Sequence, residues 1–277
     1  MALFVAVSAF AADPWQSVDA ILEQQGKAVA GDVHRYGWPR RDLHVKMGSV
    51  SVQPALALGS WAAFSSNMVM GDLVLLPGEV EGVVRALQRG GFEIAAIHNH
   101  LLGESPVVEY VHYAGHGEPV ALARTLHDAL ATTATPMKPA PAASATKNDE
   151  SLLATVSDVL QRKGMMNGRV LQFGIPRAET ITEGGMTIPP TMGVATAVNF
   201  QTSGSSVATS GDFVLIADEV KPVIAELEAH GIRATALHSH MLRESPRLFF
   251  LLFWGVGSAR AIADGIRSAL EKTNVAR

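Results

Sequence analysis

Two short histidine motifs, one in each half of the chain, have residue types and a spacing that suit chemistry. His98-Asn99-His100 and His238-Ser239-His240 each place two imidazoles on alternate residues, directly after an apolar segment typical of a buried strand. Alternate residues of a strand face the same side, so two such rings stand about 6–7 Å apart and can bind one cation. The motifs predict a metal site, and the alternative is a hydrogen-bonding pair that anchors the following turn.

The segment after the first motif offers further ligands. Glu104 lies in a Glu-Ser-Pro turn, and the returning strand carries His112. If the hairpin is centred on residue 105, His112 lies directly across from His98. If it is centred half a residue earlier, Glu109 and Val111 take that face instead.

The resulting ligand set is typical of catalytic zinc and of non-haem iron, where two or three protein ligands leave one position open. We expect His98, His100 and His112 to hold a Zn or Fe ion. Glu104 is expected to be a further ligand, or the general base that activates a metal-bound water. The chain has no cysteine, so His, Asp and Glu are its only strong metal ligands. The other five histidines, at 34, 44, 116, 127 and 230, are expected to be structural or solvated.

The second half departs from this pattern because Leu252 occupies the position that corresponds to His112. Two interpretations follow. The second site is partly degenerate, or His238 and His240 complete one site that both halves share at a pseudo-twofold axis. In either case these two histidines are candidates for substrate binding.

Two arginines are further candidates for substrate binding. Arg40 and Arg177 each follow a proline in a Gly-x-Pro-Arg turn, where a guanidinium can grip a carboxylate or a phosphate. A salt bridge to the acid two residues later, Asp42 or Glu179, is the alternative.

A Gly-Asp pair is also repeated, as Gly71-Asp72 and Gly211-Asp212. Its carboxylate stands at the start of an apolar segment. There it is either an acceptor for a ligand imidazole or a turn-forming residue, and the sequence favours the second slightly.

These residues belong to an internal duplication. Residues 71–117 align without a gap to residues 211–257, with 18 identities in 47 positions. Residues 131–147, rich in Ala, Thr and Pro, predict a linker. We therefore expect repeat 1 over 13–130 and repeat 2 over 148–277, as two domains or as one pseudo-twofold body.

Each repeat has the pattern of an α+β fold. Apolar residues at 80, 83, 84 and 87, and at 220, 223, 224 and 227, predict amphipathic helices. Short apolar segments before and after each helix predict strands, and a second helix follows near 118–130 and 258–272. We expect two pseudo-symmetric repeats, each a mainly antiparallel sheet with helices packed on one face.

The composition narrows the classes of partner. The 277 residues are 48% hydrophobic and 17% charged, with a formal net charge of −4. Such a chain folds into a globular protein and lacks the basic field that drives nucleic-acid binding. We expect a small-molecule ligand, no nucleic-acid partner and no transmembrane segment.

Residues 1–12 are similar to the end of a secretory signal. The apolar segment 2–12 is about half as long as a membrane-spanning helix, and it ends in Ala9-Phe10-Ala11, a small-x-small pattern that signal peptidase cuts. The pattern predicts a periplasmic or secreted protein, and the alternative is a buried N-terminal strand.

Seven motifs carry a resemblance to a known family. They are Trp38-Pro39-Arg40-x-Asp42-Leu43, Leu58-Gly59-Ser60-Trp61, Met70-Gly71-Asp72-Leu73-Val74, Ile97-His98-Asn99-His100-Leu101-Leu102, Gly211-Asp212-Phe213-Val214-Leu215, Ala236-Leu237-His238-Ser239-His240-Met241-Leu242 and Pro246-Arg247-Leu248-Phe249-Phe250. Together they resemble the LppY/LpqO family, which consists of exported bacterial proteins of unknown function. The resemblance implies export, often as a lipoprotein, and a doubled domain, but no activity; without a cysteine, a lipid anchor is not expected here. The family usually has His-Asn-His in its second copy and a His at the position of Leu252, so Ser239 and Leu252 are departures.

The leading functional hypothesis is an exported metal-dependent hydrolase that acts on a small cell-envelope substrate. A non-catalytic periplasmic protein that binds a small molecule or a metal is the alternative, and a scaffold for partner proteins is a third interpretation.

Overall fold

The computed structural model describes residues 14–139, 141 and 143–276. The segment predicted to be a secretory signal lies outside these residues. Within them the two repeats follow the same order of elements, as the internal alignment predicts. The α+β prediction is confirmed.

The first repeat is a six-stranded antiparallel sheet with helices, and a small three-stranded sheet is attached to it. Its elements in chain order are α1 (Pro14–Ile21), β1 (Lys27–Val29), β2 (Val33–Pro39), β3 (Lys46–Met47), β4 (Val50–Ser51), α2 (Pro54–Ala57), β5 (Gly59–Phe64), β6 (Met68–Leu75), α3 (Pro77–Arg89), β7 (Glu93–His98), β8 (Glu104–Ser105), β9 (Glu109–His116) and α4 (Pro119–Leu130). The large sheet has the order β1-β2-β5-β6-β9-β7, and the small sheet has the order β4-β3-β8.

The second repeat has the same design, with a 3₁₀ helix (Pro190–Met192) in the place of α2. Its other elements are α5 (Lys147–Leu160), β10 (Met165–Asn167), β11 (Val170–Pro176), β12 (Thr182–Glu183), β13 (Met186–Thr187), β14 (Ala195–Ser203), β15 (Ser206–Leu215), α6 (Ala217–Ala229), β16 (Arg233–His238), β17 (Glu244–Ser245), β18 (Phe249–Gly257) and α7 (Ala259–Leu270). Its sheets have the orders β10-β11-β14-β15-β18-β16 and β13-β12-β17.

Helix α3 shows how the local sequence sets the elements. The predicted apolar positions face inward, and Val83 and Leu87 are fully buried. The helix begins at Pro77, whose missing N–H costs nothing in the first turn. The Glu79 carboxylate accepts a hydrogen bond from the Leu76 N–H at 2.8 Å, which closes the helix start.

One face of each large sheet packs against the helices of its own repeat. In repeat 1, Leu73 and Leu75 of β6 and Val111 and Tyr113 of β9 lie in this core. Alternate residues of a strand point to opposite faces, so their neighbours along β6 and β9 point away from the helices. The predicted packing of helices on one face is confirmed.

The other faces of the two sheets pack against each other. One mixed core joins Met70 and Ala114 of repeat 1 to Phe250 of repeat 2, and another joins Tyr110 to Trp254. The protein therefore has four layers, helix, sheet, sheet and helix. Of the two arrangements that the duplication left open, the structure shows one pseudo-twofold body.

The segment between the repeats runs from the end of α4 to the start of α5. None of the described residues in 131–146 is in a helix or strand. Its first part is fastened to repeat 1, because the Ala134 N–H donates to the Glu79 carboxylate at 2.9 Å and Arg41 donates to the Lys138 carbonyl at 2.8 Å.

Across the part of the chain that the structure describes, every helix is too short or too polar to cross a bilayer.

Candidate metal centre

The two histidine motifs meet between the sheets. His98 ends β7 and His238 ends β16, and their ring centres lie 3.9 Å apart although they belong to different repeats. The His112 ring lies 4.0 Å from the His240 ring and 4.8 Å from the His238 ring. The structure thus brings together the histidines of both repeats, as expected for a shared site.

Two aspartates complete the arrangement. Asp72 of β6 lies directly opposite His112 of β9, and Asp212 of β15 lies opposite Leu252 of β18. Each carboxylate also lies beside the second histidine of its own motif. Asp72 Oδ2 is 3.5 Å from His100 Nε2, and Asp212 Oδ2 is 3.1 Å from His240 Nε2.

We call these seven side chains the His/Asp cluster: Asp72, His98, His100, His112, Asp212, His238 and His240. Their ligand atoms form three overlapping groups, each with all atoms within 4.8 Å of one another. The groups are His98-His112-His238, Asp72-His100-His112 and Asp212-His238-His240. Histidine and aspartate groups that could hold a metal ion are therefore present.

Each aspartate follows a glycine that the fold requires. A Cβ on Gly71 would lie 2.2 Å from the Trp61 carbonyl oxygen, and one on Gly211 would lie 2.1 Å from the Ala197 carbonyl oxygen. No side chain fits at such distances, so the repeated Gly-Asp pair combines a close strand contact with a carboxylate in the cluster.

The strand register differs from both expected alternatives. His98 pairs with Tyr110, and His112 pairs with Ala96 after a bulge in β7. His112 therefore lies one pair further along the same face as His98, with the ring centres 5.1 Å apart. Residues 104–105 form a separate strand, β8, which pairs with β3, so the segment between β7 and β9 is not a simple hairpin turn.

The cluster concentrates buried polar atoms that have no hydrogen-bond partner. Such atoms are uncommon in folded proteins, and each costs about 1–3 kcal/mol. Among the described residues there are nine, and seven belong to the cluster. These seven are Asp72 Oδ1, His98 Nε2, His100 Nε2, His112 Nδ1 and Nε2, Asp212 Oδ1 and His238 Nδ1. A cation bound in one of the three groups would give some of these atoms a partner.

Two histidines have an orientation suited to metal binding. His98 Nδ1 lies 3.0 Å from the Asn99 carbonyl, and His240 Nδ1 lies 3.3 Å from the Gly193 carbonyl. A carbonyl only accepts, so both Nδ1 atoms donate and both Nε2 atoms carry a lone pair. Metal-ligating histidines are commonly fixed in this way.

The spacing of the ligand atoms suits one ion in each group. The Nε2 atoms of His238 and His240 are 3.0 Å apart, and the other measured pairs involving Asp72 or Asp212 span 3.1 to 3.8 Å. A zinc ion with bonds of about 2.0–2.2 Å in tetrahedral geometry has ligand atoms about 3.3–3.6 Å apart.

Burial keeps the rings neutral. It lowers the pKa of all five imidazoles, that of His238 to about 2 and that of His240 to about 3. Burial also raises the pKa of both carboxyls, that of Asp212 to about 6. Neutral imidazoles with free lone pairs are the form that binds a metal.

Aromatic rings support one histidine in each repeat. Tyr110 stacks on His100 with ring centres 3.2 Å apart, and Phe250 stacks on His240 at 3.6 Å. The two aromatic residues are equivalent in the internal alignment. They restrict the orientation of the rings that they cover.

Glu104 is not brought into any of the three groups. It lies in β8 and its carboxylate accepts a hydrogen bond from the Val108 N–H. Glu244, its equivalent, does the same with the Leu248 N–H at 2.9 Å. Since the contact recurs in both repeats, the geometry favours a role in closing the loop over a role as ligand.

Arg40 and Arg177 are buried within their own repeats. Arg40 donates to Asp42, to Glu79 and to the Val74 carbonyl, and all five of its N–H groups are used. Arg177 makes the equivalent bonds to Glu179, Glu219 and the Val214 carbonyl. The salt bridge, which the sequence left open as the alternative, is the observed arrangement, and neither guanidinium has a donor left for a ligand.

The remaining histidines lie outside the cluster. His34 stacks on Trp15 with ring centres 3.9 Å apart, and His44, His116 and His230 are exposed. His127 lies near Glu23, which follows the end of α1.

Comparison with known proteins identifies the repeats. A family model described as Domain of Unknown Function (DUF1259) matches the chain twice, over residues 16–132 and 154–272. No curated protein and no solved structure matches the chain. The model does not carry the LppY/LpqO name, so that finer resemblance stays a prediction. The two matches cover most of the chain, one in each repeat, and the protein therefore belongs to the DUF1259 family.

Proposed function

We propose that this protein is an exported metal-dependent hydrolase whose zinc or iron ion lies between the two repeats. The observation that carries the proposal is the concentration of unpaired, buried ligand atoms in the His/Asp cluster. Asp72, His100 and His112 would hold the ion. Two histidines with one carboxylate form a set that both metals use in enzymes with an open position.

A divalent ion in such a set supplies Lewis acidity and lowers the pKa of the water that it binds, which suits hydrolysis of an ester or amide. In this proposal His98 would accept the proton, because its Nε2 has a lone pair and no partner. In this proposal Glu104 closes its loop and takes no part in the chemistry.

The metal is tested on protein purified without a histidine tag from medium containing Zn and Fe. Elemental analysis should find at least one ion per chain, and His100→Ala with His112→Ala should lower the content by one ion per chain. His116→Ala and Glu104→Gln are the controls, and both should keep the ion. Metal-free protein that also fails to take up Zn²⁺ or Fe²⁺ would refute the proposal.

The hydrolase activity is tested separately. Metal-loaded protein should cleave at least one of a set of chromogenic esters, phosphate esters and amides, and removing the ion should abolish this. A loaded protein that is inactive on the whole set would favour the alternative, a non-catalytic metal-binding protein. The low exposure of the Asp72 and His112 side chains, 5% and 2%, is the observation that favours this alternative.

The export part of the proposal is supported by the signal-like residues 1–12. Fractionation of the source bacterium should place the protein in the periplasm or the medium, and N-terminal sequencing should give a start after Ala11. Retention of the full-length chain in the cytoplasm would contradict this part.

A further inference from the structure

Two of the three ligand groups share no residue. Asp72, His100 and His112 all come from repeat 1, and Asp212, His238 and His240 all come from repeat 2. Each group is one carboxylate with two imidazoles. The proposed function uses only the first group and leaves the second without a role.

We propose that Asp212, His238 and His240 bind a second divalent transition-metal ion beside the first, so that the protein carries a two-ion centre with one ion in each repeat. The inference rests on the proposed function, since it adds a second ion to the same cluster.

The second group has the tighter geometry of the two. His240 Nε2 lies 3.0 Å from His238 Nε2 and 3.1 Å from Asp212 Oδ2. The Gly193 carbonyl binds His240 Nδ1, and Phe250 covers the ring, so the Nε2 lone pair is held toward the other two ligands. Asp212 Oδ1 and His238 Nδ1 have no partner.

The two groups are neighbours. The rings of His112 and His240, one from each group, have their centres 4.0 Å apart. His112 and His238, again one from each group, have ligand atoms within 4.8 Å of each other. Two-ion hydrolytic sites hold their ions about 3.5–4 Å apart, so closely placed ligand groups of this kind are expected for them.

A single central ion accounts for less of the cluster. It would use the group His98, His112 and His238, and both carboxylates and the imidazoles of His100 and His240 would lie outside its ligand set. Two ions use six of the seven side chains and leave only His98.

The test is the number of ions that the whole chain binds. Protein stripped with a chelator is dialysed against Zn²⁺, and separately against Co²⁺, and the bound metal per chain is measured. We expect two ions in the wild type, one in Asp212→Asn with His240→Ala, and one in Asp72→Asn with His112→Leu. His116→Ala is the matched control and should bind two. Circular dichroism establishes that each variant is folded.

The outcomes separate this inference from the proposed function. One ion in the wild type that survives the repeat 2 substitutions and is lost with the repeat 1 substitutions would overturn the second ion and leave the first. One ion that either pair of substitutions abolishes would show a single shared ion and would also overturn the inference. A wild type that binds no ion would overturn both proposals. If a double variant is unfolded, Asp212→Asn alone should still lower the Co²⁺ affinity of one site at least tenfold and leave the other site unchanged, and the inference is wrong if it does not.

Discussion

His112 has no histidine counterpart in repeat 2, where Leu252 lies at the equivalent position. It belongs to two of the three ligand groups, and neither of its ring nitrogens has a partner. The His112 imidazole therefore lowers the stability of the metal-free fold and also supplies a ligand atom to two of the three groups. A buried histidine that makes no hydrogen bond is explained by a ligand better than by packing.

This asymmetry supplies a matched substitution, His112→Leu, because the same fold already accepts leucine at the equivalent site. We expect the variant to fold and to be at least as stable as the metal-free wild type, since it removes two unpaired buried nitrogens. We also expect it to bind at least one ion fewer. Urea unfolding of metal-free protein and metal analysis check the two results. Unchanged metal content would contradict the assignment of His112.

Tyr110 is expected to position His100 without touching the ion. Tyr110→Phe should retain metal affinity, because Phe250 supports His240 in the same way. Tyr110→Leu removes the stacked ring and should weaken binding about 10–100-fold, the usual effect of losing a group that orients a ligand. Metal titrations of the three proteins decide this, and equal affinities would mean that the stack has only a packing role.

The start of helix α5 depends on one ionised carboxylate. Asp149 is fully buried, accepts hydrogen bonds from Arg169 at 2.9 and 3.0 Å, and caps the helix with Thr146. The Arg169 guanidinium holds the pKa of Asp149 far below its usual range. A carboxyl whose pKa is lower in the folded state stabilises the protein above the pKa of the unfolded chain, about 3.9, and loses this effect as the pH falls below it.

Asp149→Asn should therefore lower the free energy of unfolding by about 1–2 kcal/mol at pH 7, because it weakens the charge-assisted hydrogen bonds with Arg169, whose side chain is 39% exposed to solvent. The difference from the wild type should shrink as the pH falls from 4 toward 2. Urea unfolding across this pH range measures it, with Asp158→Asn near the exposed end of α5 as the control. A difference that does not change with pH would contradict the ionic explanation.

The elements themselves follow the sequence closely, but the position of Asp72 within its strand does not. The apolar segment 71–76 predicts a strand that begins at Gly71, which places Asp72 at the strand start. Strand β6 begins at Met68, so Asp72 lies in the middle and faces His112. The repeated Gly-Asp pair in repeat 2 could have indicated that Asp72 has a role inside the strand. Hydrophobicity alone does not show that a glycine is required by a close contact between strands.

The sequence predicts that β7 and β9 pair as antiparallel strands, but it does not predict the register of their pairing. A tight hairpin has a register set by its turn, and both expected alternatives assumed one. The pairing of β8 with β3 is a contact between segments about 60 residues apart in sequence, and no local pattern encodes it. For a similar reason the sequence predicts only one of the two acidic partners of Arg40. Asp42 is two residues away in sequence, whereas Glu79 is brought to Arg40 by the tertiary fold.

The sequence predicts two repeats, but it does not predict that their sheets pack against each other. The periodicity of β6, β9, β15 and β18 shows apolar residues on both faces, so it indicates burial without naming the partner. That each sheet buries its second face against the other repeat decides the site, since the histidines of both motifs lie there.

The shared core predicts that the repeats stay together without a covalent connection. A protease site inserted after Pro141 should be cut without loss of the folded state, because residues 131–146 contain no described helix or strand. The nicked protein should elute at the size of the intact chain and keep its metal, and denaturation should release two fragments. Separation of the halves in native buffer would contradict a common core.

The Leu252–His112 difference also bears on how such a molecule can change over generations. In a symmetric homodimer of single repeats, one gene encodes both sides, so any substitution at the twofold axis appears twice. When the two copies are joined in one polypeptide, a substitution in one copy no longer appears in the other. One repeat can then keep a histidine at a position where the other has lost it. The present chain, with three histidines contributed by one side and two by the other, has an arrangement that a symmetric homodimer of one repeat cannot have.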